Sequence, residues 1–168
     1  RYDTFVDAVY SFGDLPSKGP DEWPTAKAFN IGWTAMRSGW EDNATFLAFN
    51  SSSSNRGHNH MDQNHFILNC NGEFLITDPG YQDYSPGPKR DVTHGSIGHN
   101  TLLFDGQGQT IKGGGVTIGF MTSPLLDYVA GDANEAYLPI SSGWRRDILY
   151  LKPTYFLLID EVDLDKGM

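Results

Sequence analysis

Between two short apolar runs, Phe66-Ile67-Leu68 and Phe74-Leu75-Ile76, stands the dipeptide Asn71-Gly72. Asn-Gly enters left-handed backbone at little cost, as a two-residue hairpin turn requires, so the runs are expected to pair as antiparallel strands. The second run stops at Asp78-Pro79-Gly80, where proline withholds a ladder N–H and glycine permits the bend. Asp78 is therefore expected at a strand end, folded back toward the strand start at His58 and His60. The same punctuation recurs along the chain. Strand-like segments fall at 27–30, 33–38, 44–50, 115–122, 125–131, 145–151 and 155–160, with Lys152-Pro153-Thr154 as the turn of the last hairpin. Long Ala/Leu/Glu/Lys stretches are absent, while the 22 aromatic residues (Phe 10, Tyr 8, Trp 4) favour strands. The fold class expected is all-β, an antiparallel two-sheet β-sandwich of roughly ten or more strands. A chain of 168 residues is long enough to bury its core.

Two regions stand apart from that pattern. Residues 1–12 carry apolar side chains at helix-like spacing and 13–24 is rich in proline, so 1–24 is expected to be a linker or the tail of an upstream helical domain. The sandwich domain would then occupy 25–168. With Arg1 at its start and no signal-peptide pattern, the chain reads as part of a longer protein. The second region, 82–98, reads as a long irregular loop of the kind that carries function. The net charge of −9 argues against nucleic-acid or acidic-membrane partners. An anionic ligand would need a local basic cluster, for which Lys89-Arg90 and Arg145-Arg146 are available. Cys70 is the lone cysteine, so no intrachain disulfide forms. No stretch is long and apolar enough to span a membrane as a helix.

All five histidines lie between His58 and His99. In His58-Asn59-His60-Met61-Asp62 polar residues alternate, and on an extended chain His58, His60 and Asp62 share a face, each ~6.6 Å from the next. His65 is offset from them by an odd number and is expected to face the other way in a structural role. His99 arrives just before the apolar run Thr101-Leu102-Leu103-Phe104. Histidine, carboxylate and histidine delivered by different strand ends make a first-row metal set. Asp62 suits a supporting place beside a metal histidine. His94, in the long loop, is a candidate substrate contact, as is Arg90. Two other readings stand beside this one. Some of these histidines would simply make hydrogen bonds, or the pattern would be the HxHxDH of metallo-β-lactamase-like hydrolases, although Gln63 occupies the final histidine position.

The run RGHNHMDQNHFILNCNGEFLITDPGYQDY, followed downstream by SIGHNTLLFDG, resembles the C-terminal domain of the heparinase II/III family of polysaccharide lyases. MRSGWEDNATFLAFN and RRDILYLKPTYFLLIDEVD also look like strands of that sandwich. The resemblance implies an α/α toroid ahead of the sandwich, in the same protein, with the active-site cleft between them. It implies one organising zinc ion at His60, Asp78 and His99, a catalytic His58, and a catalytic tyrosine for which Tyr84 and then Tyr81 are candidates. The activity implied is β-elimination on an anionic uronic-acid-containing polysaccharide, heparin- or heparan-sulfate-like first and alginate-like second, in the bacterial periplasm or outside the cell. The alternative is a non-catalytic, zinc-stabilised carbohydrate-binding or structural sandwich, with Trp23, Trp33, Trp40 and Trp144 as the aromatic residues available to face a sugar.

Overall fold

The structure is a computed structural model describing residues 20–53, 58–81, 85–138, 140 and 143–164. The expected N-terminal helix at 1–12 lies outside the described residues, as does most of the linker. Strands β1 (Ala26–Ala28), β2 (Trp33–Arg37), β3 (Phe46–Asn50), β4 (His65–Cys70) and β5 (Glu73–Ile76) form one antiparallel sheet in sequence order. Strands β6 (Val116–Thr122), β7 (Leu126–Asp132), β8 (Gly143–Leu151) and β9 (Tyr155–Asp163) form a second, again in sequence order. Nine strands among the described residues thus make the two-sheet sandwich that the turn spacing predicts.

Alternation along each strand decides what is buried. Thr34 and Met36 of β2, Leu47 and Phe49 of β3 and Phe66 of β4 face inward. Met36, Leu47, Phe49 and Phe66 meet Val129, Ile148 and Tyr150 from the other sheet, forming a continuous core. Each such side chain contributes roughly 1.5–3 kcal/mol on burial. Tyr150 stacks on Phe156 with ring centroids 4.2 Å apart. A second cluster, of Ala133, Ala136, Tyr137 and Trp144, closes one end of the sandwich beneath Leu102 and Phe104. Trp144 is therefore fully buried, and Trp40 meets Trp23 edge to face, although Trp23 stays 57% exposed. Trp33 keeps 56% of its surface exposed on the outer face of the first sheet.

The β4–β5 hairpin turns at Asn71 (φ 54°) and Gly72 (φ 79°), both left-handed as a primed turn requires. Two local expectations need correction. Segment 82–98 is not wholly irregular, for it contains the helix Pro88–His94 and a 3₁₀ turn at Ser96–Gly98. The helix opens on proline and buries none of its residues, so it leaves no apolar periodicity in the sequence to find. The run at 101–104 is not a strand. Phe104 makes only an isolated bridge to Gln107, while its ring and Leu102 cover the second cluster. No helix among the described residues is long and apolar enough to cross a membrane.

The two sheets pack tightly at Gly131 in β7. A Cβ there would lie 2.2 Å from Oδ1 of Asn64 and 2.6 Å from the Phe49 ring, closer than atoms pack. Gly131→Ala is expected to destabilise the domain by ~1–3 kcal/mol through overpacking, read as a lower urea midpoint with an unchanged denaturant slope.

Candidate active site and metal centre

The approach to β4 is a turn, not an extended strand. The His65 N–H donates to the Asp62 carbonyl at 3.1 Å, and Asn64 sits at φ 59°, where asparagine is tolerated better than most residues. His58 is also left-handed, at φ 68°. Two such residues break the alternation assumed for 58–65, and His65 consequently lies on the outer face of the first sheet, opposite Asn50 in β3, which itself pairs with Trp33 in β2. The expectation that His65 faces away from the other histidines is thereby overturned.

Four imidazoles line up as a result. The His94 ring stands 5.4 Å from that of His60, His60 5.3 Å from His99, and His99 5.2 Å from His65. Asp78, just past the end of β5, closes the file. Its Oδ2 lies 3.0 Å from Nδ1 of His99 and 3.2 Å from Nε2 of His65, while its Oδ1 accepts the Gly80 N–H at 2.7 Å. Asp78 therefore does fold back, but onto the start of β4 rather than the start of the HxH segment. The helix Pro88–His94 sets the other end, since the Met61 N–H donates to the His94 carbonyl and Ser96 Oγ donates to the Met61 carbonyl, both at 2.8 Å. His94 thus joins the cluster, which its place in a supposed loop did not announce.

Burial keeps these rings neutral. It lowers the pKa of His60, His94 and His99, with Asp78 opposing the shift at His60 and His99. His65 is pushed down to about 4 by burial, then by His99, with Asp78 opposing and Arg146 and His60 adding to the shift. Burial drives Asp62 the other way, up to about 7, helped by the neighbouring Asp78 carboxylate and opposed by the Asn50 amide, whose Nδ2 donates to Oδ1 at 3.0 Å.

Beside this file lies a cleft of about 490 Å³ on the outer face of the first sheet. His58, His60, Asp62, His65 and Asp78 line it, with Trp33 and Ile31 on one wall. Tyr81 is 72% exposed and is not among the cleft's lining residues, and neither are Arg90 and His94. Tyr84 lies outside the described residues. Gln63, at the position where a metallohydrolase motif places its last histidine, is buried. Its side chain accepts the Ser52 N–H at 2.7 Å, and its backbone pairs reciprocally with the Gln109 amide, at 2.8 Å each way.

The donors suit a metal. Ligand atoms of His65, Asp78 and His99 all lie within 4.8 Å of one another. Nε2 of both histidines is buried without a hydrogen-bond partner among the described residues. Neutral imidazoles and a carboxylate are the ligand types zinc takes. His60 stands against His99 on the cleft side of this group.

One guanidinium supports the whole assembly. Arg146 in β8 is 5% exposed and grips Asp160 of β9 through Nε and Nη2, both at 2.8 Å. Its Nη1 reaches across the sandwich to the carbonyls of Asn64 at 2.9 Å and Asn100 at 2.6 Å. Asn100 in turn donates its Nδ2 to the Phe66 and Thr77 carbonyls, at 2.9 Å each. The two residues flanking the site histidines are thus held by the opposite sheet. The sequence offered Arg145-Arg146 as one of two basic clusters for anions, and Arg146 is withdrawn from that role by burial.

The fold and site are those of an antiparallel two-sheet sandwich with an imidazole–carboxylate cluster beside an open cleft, and comparison with known proteins gives its family. Residues 20–167 match the family described as heparinase II/III-like, C-terminal, and the chain belongs to that family. Among solved structures, the chain is similar to a heparan sulfate lyase, HepC, from Pedobacter heparinus, at 28% identity and a TM-score of 0.71, covering 80% of this chain and 21% of that one. Two heparinase III structures share the fold, at 23% identity each with TM-scores of 0.73 and 0.70, covering 83% of this chain and 22% of theirs. The chain thus spans about a fifth of the length of these proteins. No curated protein matches it.

Two outcomes test this account. Replacing Arg146 with methionine leaves the Asn64 and Asn100 carbonyls without their donor and removes the ion pair to the part-exposed Asp160, which keeps the Trp144 indole N–H, so a loss of ~1–3 kcal/mol is expected in urea unfolding. Metal-free protein should also lose thermal stability as the pH falls below about 6.5, because unfolded histidines take up protons that His60, His65, His94 and His99 resist when folded. Asp62 works against that trend, since its folded carboxyl holds a proton up to about 7. In Asp62→Asn the melting temperature should therefore fall more steeply with acid.

Proposed function

We propose that this domain is the sandwich half of a lyase that cleaves a uronic-acid-containing polysaccharide by β-elimination. A heparan-sulfate-like polymer is the first choice and an alginate-like one the second, met in the periplasm or outside the cell. The observation that carries the reading is the shared cleft. His58, half of an HxH pair, is exposed on its wall, while its partner His60 stands beside a buried His–Asp centre, in a chain of the heparinase II/III-like family.

The reaction fits these groups. A base takes the proton from C5 of the uronate, the electron pair left behind forms the C4–C5 double bond, and the C4–O bond breaks. An acid then protonates the departing oxygen. The C5 proton is only weakly acidic beside an anionic carboxylate, so charge on that carboxylate must be neutralised as the carbanion develops. His58 is assigned a direct role at the sugar, and Tyr84 or Tyr81, from the segment after Asp78, the partner role. Arg90 and His94 are assigned to substrate binding. His60, Asp78 and His99 would hold one zinc ion, and zinc would supply a fixed cross-link between the HxH segment, Asp78 past the end of β5 and His99 at the end of the 3₁₀ turn. An upstream helical domain of the same protein would close the cleft and add the remaining groups.

Incubating the full-length protein with heparin, heparan sulfate, alginate and chondroitin should produce the ultraviolet absorbance of an unsaturated uronate with one of the four. His58→Ala should keep its zinc and its melting temperature while turnover drops by ~10²–10⁴, the range for a lost acid or base. Survival of turnover within a few-fold removes His58 from the chemistry.

A further inference from the structure

His65 lies among the metal-site donors, yet its hydrogen bonding marks it as something other than a ligand. Its Nδ1 accepts the backbone N–H of Asn100 at 2.9 Å. A backbone amide only donates, so this nitrogen must present its lone pair. In a neutral imidazole the proton then sits on Nε2. That nitrogen approaches Oδ2 of Asp78 to 3.2 Å, off the line of an ideal hydrogen bond, and has no hydrogen-bond partner among the described residues. A buried N–H left unmatched is costly, and the Asp78 carboxylate is the acceptor within reach. Binding a metal through Nε2 would require the ring to lose its last proton or break from Asn100.

We propose that His65 is a positioning residue, a neutral imidazole whose tautomer is set by the Asn100 amide and whose Nε2–H steadies Asp78 for the metal. The proposal rests on the reading in which His60, Asp78 and His99 are the ligands. The lock itself is built from the far sheet. Arg146 fixes the carbonyls of Asn64 and Asn100, the residues just before His65 and just after His99. Asn100 also ties the Phe66 and Thr77 carbonyls, one residue beyond His65 and one before Asp78. The donor ring and the carboxylate are thereby held in register by one side chain. His99 Nδ1 reaches the same Oδ2 at 3.0 Å, so a freely rotating Asp78 would cost both contacts at once.

Glutamine separates the two roles. It copies the neutral ring's pattern, with an oxygen to accept from Asn100 and an N–H to give to Asp78, but it is a poor zinc ligand. Zinc affinity by competition with a chromophoric chelator, zinc stoichiometry, and the visible absorption of the Co²⁺-substituted protein are to be measured on the full-length chain, with circular dichroism confirming the fold. His65→Ala should bind zinc about 10–100-fold more weakly, as for lost support of a ligand, still at one ion per chain. His65→Gln should recover close to wild-type affinity with an unchanged Co²⁺ spectrum. Loss of stoichiometric zinc in His65→Gln, or a Co²⁺ spectrum showing a changed ligand set, overturns the proposal and makes His65 a ligand. Undiminished affinity in His65→Ala overturns it as well, leaving the ring without a role at Asp78. The underlying ligand set fails separately, if His60→Ala retains zinc at wild-type affinity.

Discussion

Arg146 spends its guanidinium entirely inside the protein. Two of its nitrogens meet Asp160 on the neighbouring strand and the third reaches the Asn64 and Asn100 carbonyls of the opposite layer. Its charge also stands over the Phe66 and Trp144 rings, 5.3 and 4.9 Å from their centroids. A buried cation is tolerated when it is paired and its donors are used, and the planar fork of arginine allows all of this where lysine would not. Packing joins the sheets over the core, but this contact sets their relation at the site end. It also bears on the chemistry, because the charge helps hold His65 neutral.

Around that cation the polar interior is closed by pairs that satisfy each other. Gln63 and Gln109 exchange amide and backbone bonds, Gln109 also meets the Tyr137 hydroxyl at 3.2 Å, and Tyr137 donates to the Leu102 carbonyl at 2.6 Å. Ser96 ties Gln109 to Met61. Fully satisfied networks of this kind fix loop geometry because each alternative leaves a buried group unpaired. The HxH segment is therefore held from its C-terminal side by Met61 and Gln63, while His58 and His60 project toward the cleft. A rigid base beneath the cleft thus keeps the two imidazoles in a fixed geometry.

The outer face of the first sheet gives the site its character. Its small central residues, Ala35 and Ala48, are cross-strand neighbours, which leaves room above the sheet. Trp33 and Ile31 border that space with apolar surface and the imidazole file borders it with polar surface. An apolar wall facing a few convergent polar groups is the usual make-up of a ligand cleft. Burial favours the neutral state of His60, His94 and His99, so each offers a lone pair to a cation without a pH change, whereas the His65 lone pair is taken by the Asn100 amide.

The sequence by itself determined the sandwich, the Asn71-Gly72 hairpin, the place of Asp78 past a strand end and the family to which the chain belongs. The first three rest on local physics, namely turn residues with left-handed backbone, period-two alternation and a proline that ends a ladder, and the family rests on the resemblance of its motif runs. What only the tertiary structure decided is who stands next to whom. The turn at Asp62–His65 reversed the parity of His65, and the helix at Pro88–His94, burying nothing, brought His94 against His60. Arg146 left the surface for the interior because Asp160, Asn64 and Asn100 meet there, from segments 14, 82 and 46 residues away. Side-chain periodicity reports which face a strand residue takes, but it is silent once left-handed residues interrupt the strand. Contacts across such sequence distances are chosen by the packing of two sheets, which no local pattern encodes.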